Sequence, residues 1–255
     1  MTYLYDGTFS GLMSVIFYIY SFKIEPEDIT SQSGFESQLF AQVKVVETND
    51  VHSERVIKGL LKKISIQGFK NLWKSYLSEE RGIEMVIYQY IKYVLSSQTN
   101  IETDYRNAAV LKVKQTVKMI HREVHRMHAF VRFQQTNDNL YVATIKPDFN
   151  VMPLVWQHFE KRYADQTWLI YDVRRNYGMY YDLNSTMQVV LDDVQMQKNK
   201  KVKSGILSDT EDIYSELWQK YFSAANIKER TNLKLHLKHV PRRYWMFLPE
   251  KWKID

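Results

Sequence analysis

Cysteine is absent from the 255 residues of this sequence. Without a thiol, the chain forms no disulfide bond, has no thiol nucleophile and offers no cysteine ligands for zinc or for an iron–sulfur cluster. Glycine is scarce as well, with eight residues scattered along the chain. None of them forms a G-x-x-x-x-G-K-[ST] loop, a G-x-G-x-x-G turn or a G-x-S-x-G elbow, which argues against P-loop, Rossmann and α/β-hydrolase sites.

The sequence also lacks an apolar run of membrane-spanning length. The run at residues 12–22 falls well short of the roughly 20 residues that a spanning helix needs, and no basic region precedes it. We therefore expect a buried helix there, in a cytoplasmic protein with no membrane partner.

Apolar residues make up 45% of the chain and aromatic residues 14%, which is enough for a packed core. The formal net charge of +6 is modest, but the basic residues are concentrated in one region. Residues 1–60 carry four positive and eight negative side chains, whereas residues 105–132 carry seven positive and one negative. The basic excess is therefore local, and its position matters more than its size.

The first 104 residues are predicted to be mainly helical. Short strands are expected at residues 3–5 and 42–47, and Thr8 or Ser10 is expected to cap a helix that runs to about Tyr20. Helical periodicity predicts three further helices in this part, at residues 53–64, 69–78 and 83–95.

The clearest periodicity lies between residues 107 and 127. Its apolar stripe steps by three and four, and Lys118, Arg122 and Arg126, each one turn apart, point away from that stripe. Such a face is often simply solvated, but Glu123 is the only acidic residue close by. The run is therefore an equal candidate for binding a polyanion. The apolar stripe consists of Val110, Val113, Val117, Ile120, Val124 and Met127.

Alternating segments follow this helix. They predict strands at residues 130–135, 140–146, 167–173, 177–182 and 187–191, with a helix capped by Asn150 and carrying Pro153 in its first turn. The predicted order is β-β-α-β-β-β. We expect an α+β fold in a single domain, with a mostly antiparallel sheet of about five strands in residues 105–255. An exposed loop at 195–208 and a helix at 211–222 complete the prediction.

Further candidates for phosphate contact lie on the strands and near the carboxyl terminus. Arg132 is expected within a strand, and Arg174 and Arg175 in the turn that follows W-L-I-Y-D at 168–172. Such arginines are commonly surface residues, or are tied to an acid such as Asp172. Alternatively, they line one phosphate-binding surface. The last basic stretch adds Arg230, Arg242 and Arg243, followed by Tyr244 and Trp245, which either stack a base or anchor the segment to the core.

Metal binding is disfavoured. His121 and His125 have the spacing of a zinc pair, but Glu123 projects about 200° away from the first of them and Lys114 and Lys118 flank both. Pro147 and Asp148 could begin a P-D…(D/E)-x-K nuclease motif. No lysine in the chain has an acidic residue two positions before it, so the second half of that motif is absent. We expect no cofactor and assign no metal site.

Eight phrases spread in order over nearly the whole chain resemble a bacterial family described as "probable DNA metabolism protein", a domain of unknown function. The phrases are Y-D-G-T-F-S-G-L at 5–12, E-V-H-R-M-H-A-F-V-R-F at 123–133, P-D-F-N-V-M-P-L at 147–154, H-F-E-K-R-Y-A at 158–164, W-L-I-Y-D-V-R-R at 168–175, L-W-Q-K-Y-F at 217–222, N-I-K-E-R-T-N at 226–232 and P-R-R-Y-W…L-P-E at 241–250.

The resemblance implies a DNA-repair or DNA-modification context. The members of that family look like companions of a radical S-adenosylmethionine protein encoded nearby, and related domains are fused to uracil-DNA-glycosylase-like domains. It supplies no catalytic residue. Because this chain has no cysteine, the iron–sulfur chemistry must belong to the partner.

Three functions remain open from the sequence. The leading expectation is an accessory protein that presents DNA to the radical enzyme. The second is an enzyme that processes DNA by itself, such as a glycosylase-like hydrolase using Asp148, His125 or His158. The third is a docking subunit whose basic surface meets an acidic protein.

Overall fold

The computed structural model describes residues 1–36, 42–190 and 237–252. It has an α+β fold, as predicted, and divides into two compact units, Met1–Arg122 and Glu123–Asp255. We call these unit 1 and unit 2. The boundary lies within helix α5 (Ala108–Phe130).

Unit 1 combines a small parallel sheet with helices. Its strands occur in the order β2-β1-β3, and both neighbours run parallel to β1. The elements are β1 (Thr2–Tyr5), α1 (Phe9–Phe22), β2 (Asp28–Ser31), a 3-10 helix (Gln32–Gly34), β3 (Val43–Val45), α2 (Asp50–Leu61), α3 (Ile66–Tyr76), α4 (Ile83–Ser96) and the first part of α5.

The start of α1 is fixed by the turn that follows β1. Asp6 accepts hydrogen bonds from the backbone N–H and the hydroxyl of Thr8 at 2.8 and 2.7 Å. Thr8 in turn caps the helix by accepting the N–H of Gly11 at 2.9 Å. A Cβ on Gly11 would lie 2.3 Å from the Asp6 carboxylate, so only glycine fits this close approach.

One hydrophobic cluster holds unit 1 together. The sequence predicted that α1 would be buried, and Leu12, Met13 and Ile16 are fully enclosed. The cluster continues through α4 to the amino-terminal half of α5, where the predicted stripe contributes Val110, Val113 and Val117. Burial of these large side chains is the main stabilising contribution to this unit.

Unit 2 is built on a five-stranded sheet in the order β4-β5-β6-β7-β8. Its elements are the rest of α5, β4 (Gln134–Gln135), β5 (Tyr141–Ile145), α6 (Met152–Arg162), β6 (Trp168–Asp172), β7 (Tyr177–Tyr181), β8 (Thr186–Val189) and two 3-10 helices, Arg242–Phe247 and Pro249–Lys251.

A mostly antiparallel sheet was expected, but the sheet of unit 2 is mixed: the β4–β5, β6–β7 and β7–β8 pairs are antiparallel and one pair is parallel. Strands β5 and β6 are parallel, with Tyr141 opposite Trp168 and Ile145 opposite Asp172, because α6 carries the chain back across the sheet between them. The three strands of unit 1 are parallel too. Strand β2 was missed because Ile29 is the only one of its residues that is buried, so it shows no alternating pattern.

The predicted strand at residues 130–135 was also largely wrong. Helix α5 continues to Phe130, and only Gln134 and Gln135 pair with β5. The apparent alternation arises because Phe130 contacts Tyr244, whereas Phe133 contacts the aromatic residues of α6. These side chains therefore serve different packing contacts rather than the two faces of one strand.

The predicted Asn150 cap was wrong as well. Helix α6 begins at Met152 without a side-chain cap, while Pro153 lies in its first turn as expected. The Asn150 amide oxygen instead accepts the Tyr177 hydroxyl at 2.5 Å.

The other predicted helices and strands up to residue 190 are present, with shifted ends. The predicted loop at 195–208 and the helix at 211–222 lie outside the described residues. No helix in the described part of the chain is long and apolar enough to cross a membrane.

Candidate nucleic-acid interface

Asp148 is the centre of a polar network in unit 2. It lies in the turn after β5, where its backbone N–H donates to Glu123 Oε1 at 2.9 Å. Its carbonyl oxygen accepts Arg174 Nη1 at 2.8 Å and Arg175 Nη2 at 3.1 Å. Its carboxylate pairs with Arg243 Nη2 at 2.8 Å. Four residues from three parts of the unit therefore fix one turn.

Glu123 is a buried acceptor that several residues of this network share. Its side chain is 1% exposed and accepts the Tyr244 hydroxyl at 2.5 Å as well as the Asp148 amide. Arg243 Nη2 lies 3.1 Å and Arg126 Nη1 3.5 Å from Glu123 Oε2. Burial, together with the hydrogen bond to Glu123, raises the pKa of Tyr244 above its ordinary value of 10.0.

A second buried carboxylate organises the turn after β6. Asp172 is fully buried and pairs with Arg175 Nη1 at 2.8 Å. Its other oxygen accepts the backbone N–H groups of Arg174 and Arg175 at 2.9 and 3.3 Å. Asp172 therefore stabilises the turn that places the guanidinium groups of Arg174 and Arg175 against the Asp148 carbonyl.

The carboxyl-terminal segment is anchored to unit 2 by a further buried pair. Arg132 Nη2 contacts Glu250 Oε1 at 2.9 Å, and Arg132 Nη1 donates to the carbonyls of Ala129 and Val131 near the end of α5. The predicted strand position for Arg132 was wrong. Its described contacts are internal and support the fold.

Positive charge remains at the surface of this network. The Arg174 side chain is exposed, and its contact with Asp148 is to a neutral carbonyl. Arg242 is exposed too, with its guanidinium carbon 5.8 Å from the centroid of the Trp245 ring. Neither residue forms an ion pair within the residues described by the structure. These two arginines are therefore available to an external anion. Arg243 is partly exposed and is already paired with Glu123 and Asp148.

The predicted face of α5 is divided between the two units. Lys118 and Arg122 are exposed and belong to unit 1, whereas Arg126 belongs to unit 2 and pairs with Glu123. Arg230 lies outside the described residues.

Tyr244 and Trp245 follow the anchoring interpretation. Tyr244 is buried, and the Arg243 guanidinium carbon lies 4.6 Å from its ring centroid. The Trp245 indole N–H donates to the Val240 carbonyl at 3.1 Å, and its ring contacts both Arg242 and Lys251. Both rings are held by contacts within the protein.

The histidines do not assemble a metal centre within the described residues. His121 Nε2 lies 2.8 Å from Lys74 Nζ, and burial and this neighbour lower the pKa of His121. His158 stacks on His128 with ring centroids 4.0 Å apart. Within the described part of the chain, neither His125 nor His158 forms a hydrogen bond or an ion pair with Asp148, so the three suggested catalytic groups are not joined in one network.

Sequence reasoning missed Glu123 and Glu250 as parts of this network. Helical spacing contains a signal for Glu123, because it lies three residues after Ile120 and four before Met127 on the apolar stripe. An acidic residue on a buried stripe requires partners. Nothing local to Glu250 indicates its pairing with Arg132, which is 118 positions away.

The comparisons with known proteins give a family and a remote structural likeness. No curated protein matches the chain. A pGpG-specific phosphodiesterase, PggH from Vibrio cholerae, is similar in structure at a TM-score of 0.36 and 10% identity, over 88% of this chain and 99% of that one. A likeness at that score carries no argument about this protein.

A family model described as a domain of unknown function, DUF4130, matches residues 81–250 and therefore about two thirds of the sequence. Glu123, Asp148, Asp172, Arg174, Arg175, Arg243 and Tyr244 all lie within the matched region. The chain belongs to the DUF4130 family.

Proposed function

We propose that unit 2 binds nucleic acid through the arginines arranged around Asp148, and that the protein is an accessory subunit of a radical S-adenosylmethionine enzyme that repairs or modifies DNA. The observation that carries the first part is the fixed Asp148 turn with Arg174 and Arg242 exposed beside buried ion pairs.

The charge balance of the network favours an anion. Four arginines face three carboxylates there, which leaves one positive charge, and Arg242 adds a second. Because Glu123 and Asp172 are buried, their contacts with Arg175 and Arg243 orient these arginines without cancelling the charge of Arg174. Guanidinium groups with fixed planes suit the paired oxygens of phosphate.

Fluorescence anisotropy with a labelled oligonucleotide tests the binding. We expect the double substitution Arg174→Ala with Arg242→Ala to weaken binding by about tenfold or more at low salt, because charge-assisted contacts are lost. The slope of log affinity against log salt should fall by about 1.4 for a single strand, or roughly 0.7 for each lost phosphate contact.

A matched control removes two exposed cations from unit 1, Lys62→Ala with Arg81→Ala, and should leave the slope nearly unchanged. A second pair, Lys118→Ala with Arg122→Ala, measures the contribution of α5. No binding at low salt, or equal losses in all three variants, would contradict the proposal that the Asp148 network is the contact.

The partner is proposed from the family resemblance and the absence of cysteine. Co-expression with the radical enzyme should give a complex that acts on modified DNA, while the isolated chain should be inactive. A complex that survives nuclease treatment but has no affinity for DNA would instead favour the docking subunit.

The Asp148 carboxylate also supports a second candidate, a DNA-processing hydrolase that works without a partner. This side chain is 47% exposed although its backbone is held on both sides, as expected of a group positioned for a reaction. Release of a base from uracil-containing or otherwise damaged DNA by the pure chain, lost in Asp148→Asn, would support this candidate over the accessory role.

A further inference from the structure

One lysine of unit 1 meets an imidazole where others meet a carboxylate. Lys74 on α3 has its Nζ 2.8 Å from His121 Nε2 on α5, and neither side chain forms a further hydrogen bond or ion pair within the described residues. Lys58, Lys92 and Lys112 each pair with a glutamate instead. A carboxylate stabilises the charged form of a lysine, whereas a neutral imidazole is a base that can accept its proton. The contact therefore places a proton acceptor at the Lys74 amine.

The short distance limits the number of protons that this pair can hold. An ammonium group and an imidazolium ring can only donate, so at least one of the two groups must be neutral at 2.8 Å. Burial and the neighbouring Lys70 lower the pKa of Lys74, and burial and Lys74 lower the pKa of His121. Both shifts favour the neutral forms, which are the amine that can attack an electrophile and the imidazole that can accept its proton.

We propose that Lys74 is an amine nucleophile that captures an aldehyde as an imine, with His121 as its proton shuttle. The Lys74 nitrogen attacks the carbonyl carbon and forms a C–N bond. Two protons pass from this nitrogen through His121 Nε2 to the former carbonyl oxygen, which leaves as water when the C–O bond breaks. An ammonium group and an aldehyde thus give an iminium group and water, with the charge unchanged and no oxidant or reductant consumed.

Exposed cations beside the pair favour an aldehyde that carries phosphate. Lys70 lies one turn before Lys74 on α3, and Lys118 lies one turn before His121 on α5. Both Lys70 and Lys118 are exposed, and neither forms an ion pair in the part of the chain that the structure describes. Because His121 is exposed and Lys74 partly so, a ligand can reach the amine from solvent. The site therefore combines a nucleophile with two positive charges that attract an anion.

Two sources supply an aldehyde next to phosphate. The ring-opened sugar of an abasic site in DNA has an aldehyde with phosphate on both sides, and a small sugar phosphate such as glyceraldehyde 3-phosphate carries the same two groups. The inference goes beyond the proposed function, because its residues lie in unit 1 and do not require the Asp148 network. Capture is reversible and releases no base, so it is also separate from the hydrolase candidate.

Reduction with borohydride tests the capture, because it converts the imine to a stable secondary amine. Wild-type protein is incubated separately with an abasic strand, with glyceraldehyde 3-phosphate and with glyceraldehyde, and the adduct is located by peptide mass mapping. We expect an adduct on Lys74 with at least one phosphate-bearing probe, about tenfold or more above the adduct with glyceraldehyde. Reaction with the abasic strand alone identifies DNA as the source, and reaction with glyceraldehyde 3-phosphate alone identifies a small metabolite.

Three variants separate the roles of the two residues. Lys74→Arg keeps the positive charge but cannot form the imine, so its adduct should be lost. Lys92→Ala removes an exposed lysine whose pKa is raised by Glu25, and should change nothing. His121→Gln keeps an acceptor for Lys74 but cannot carry a proton, and should slow capture about a hundredfold. The final amount of imine after long incubation should stay nearly the same, because a proton shuttle changes rates and not equilibria.

Adducts spread evenly over exposed lysines, unchanged trapping in Lys74→Arg or no capture of any probe would overturn the proposal. Equal capture of glyceraldehyde would overturn the preference for phosphate. Loss of both the rate and the final amount in His121→Gln would show that this histidine only supports the fold, and would overturn the shuttle. Because the mapping uses the wild-type protein, it locates the nucleophile even if a variant fails to fold.

Discussion

The two units bury different kinds of polar groups. In the described residues of unit 1, the buried polar side chains are hydroxyls, whereas unit 2 buries the carboxylates of Glu123, Asp172 and Glu250. A hydroxyl group can be satisfied by a single local bond, as when Ser75 donates to the Asn71 carbonyl. A buried carboxylate requires several donors, which makes its surroundings costly to change.

The apolar core of unit 1 and the buried ion pairs of unit 2 therefore have different roles. The core of unit 1 stabilises the fold without orienting any particular polar side chain, because apolar burial is not directional. The ion pairs of unit 2 fix the directions of particular guanidinium groups. Buried ion pairs are weak evidence of stability by themselves, so their use in positioning Arg175 and Arg243 is the more informative interpretation.

The largest expected effect is at the buried carboxylate of unit 2. Glu123→Ala leaves Arg243, the Tyr244 hydroxyl and the Asp148 amide without their shared acceptor, and should lower the free energy of unfolding by about 4 kcal/mol. Hydrogen exchange of amides in β5 and α6 measures it. Glu54→Ala removes an exposed pair with Lys58 and should leave the free energy of unfolding nearly unchanged. Similar losses for the two variants would contradict the distinction between the units.

In unit 1, a core truncation should have the next largest effect. Leu12 is fully buried against the sheet and helices, so Leu12→Ala should cost about 3 kcal/mol through lost burial and the cavity it leaves. Hydrogen exchange of amides in α1 and α4 reads this loss. A cost below about 1 kcal/mol would mean that the apolar cluster is not the main support of this unit.

Replacing each of two glycines, Gly11 and Gly59, by alanine should change the stability by smaller amounts and in opposite directions. Gly11→Ala places a Cβ 2.3 Å from Asp6 Oδ1 and 2.8 Å from Thr48 Oγ1, and should cost about 2 kcal/mol. Gly59 in α2 has no atom within 4 Å of such a Cβ, so Gly59→Ala should stabilise by about 0.5–1 kcal/mol. Thermal unfolding of both variants distinguishes them, and destabilisation by Gly59→Ala would contradict the open space beside Gly59.

The smallest effect concerns pH in unit 2. Burial, followed by the neighbouring His158 and His125, lowers the pKa of His128 below its ordinary value of 6.5. The unfolded chain therefore binds this proton more readily, so stability should fall as the pH drops through about 6.5. His128→Phe keeps a ring against His158 and should reduce this dependence. Hydrogen exchange in α6 at pH 7 and 5.5 tests it, and an unchanged dependence would show that other groups are responsible.

Elements with a strong local pattern were predicted well. The stripe of α5 and the Thr8 cap are readable because helical spacing and capping act within a few residues. The parallel pairing of β5 with β6 was not, since it depends on where α6 carries the chain. Strand β2 has a single buried residue, Ile29, and so gave no signal.

The residues of the candidate site were predicted better than the contacts that join them. The link between Asp172 and an adjacent arginine was correctly anticipated, because residues three apart across a turn meet. The contact of Arg243 with Asp148 joins residues 95 positions apart, which no local pattern specifies.

The most direct test of the central claim is hydrogen exchange of the whole protein with and without a saturating single-stranded oligonucleotide at low salt. Binding by unit 2 predicts added protection around residues 147–149, 172–176 and 242–252, with no change in α1 and α4 of unit 1. Protection confined to unit 1, or none in the segment that carries Arg242, would contradict the account.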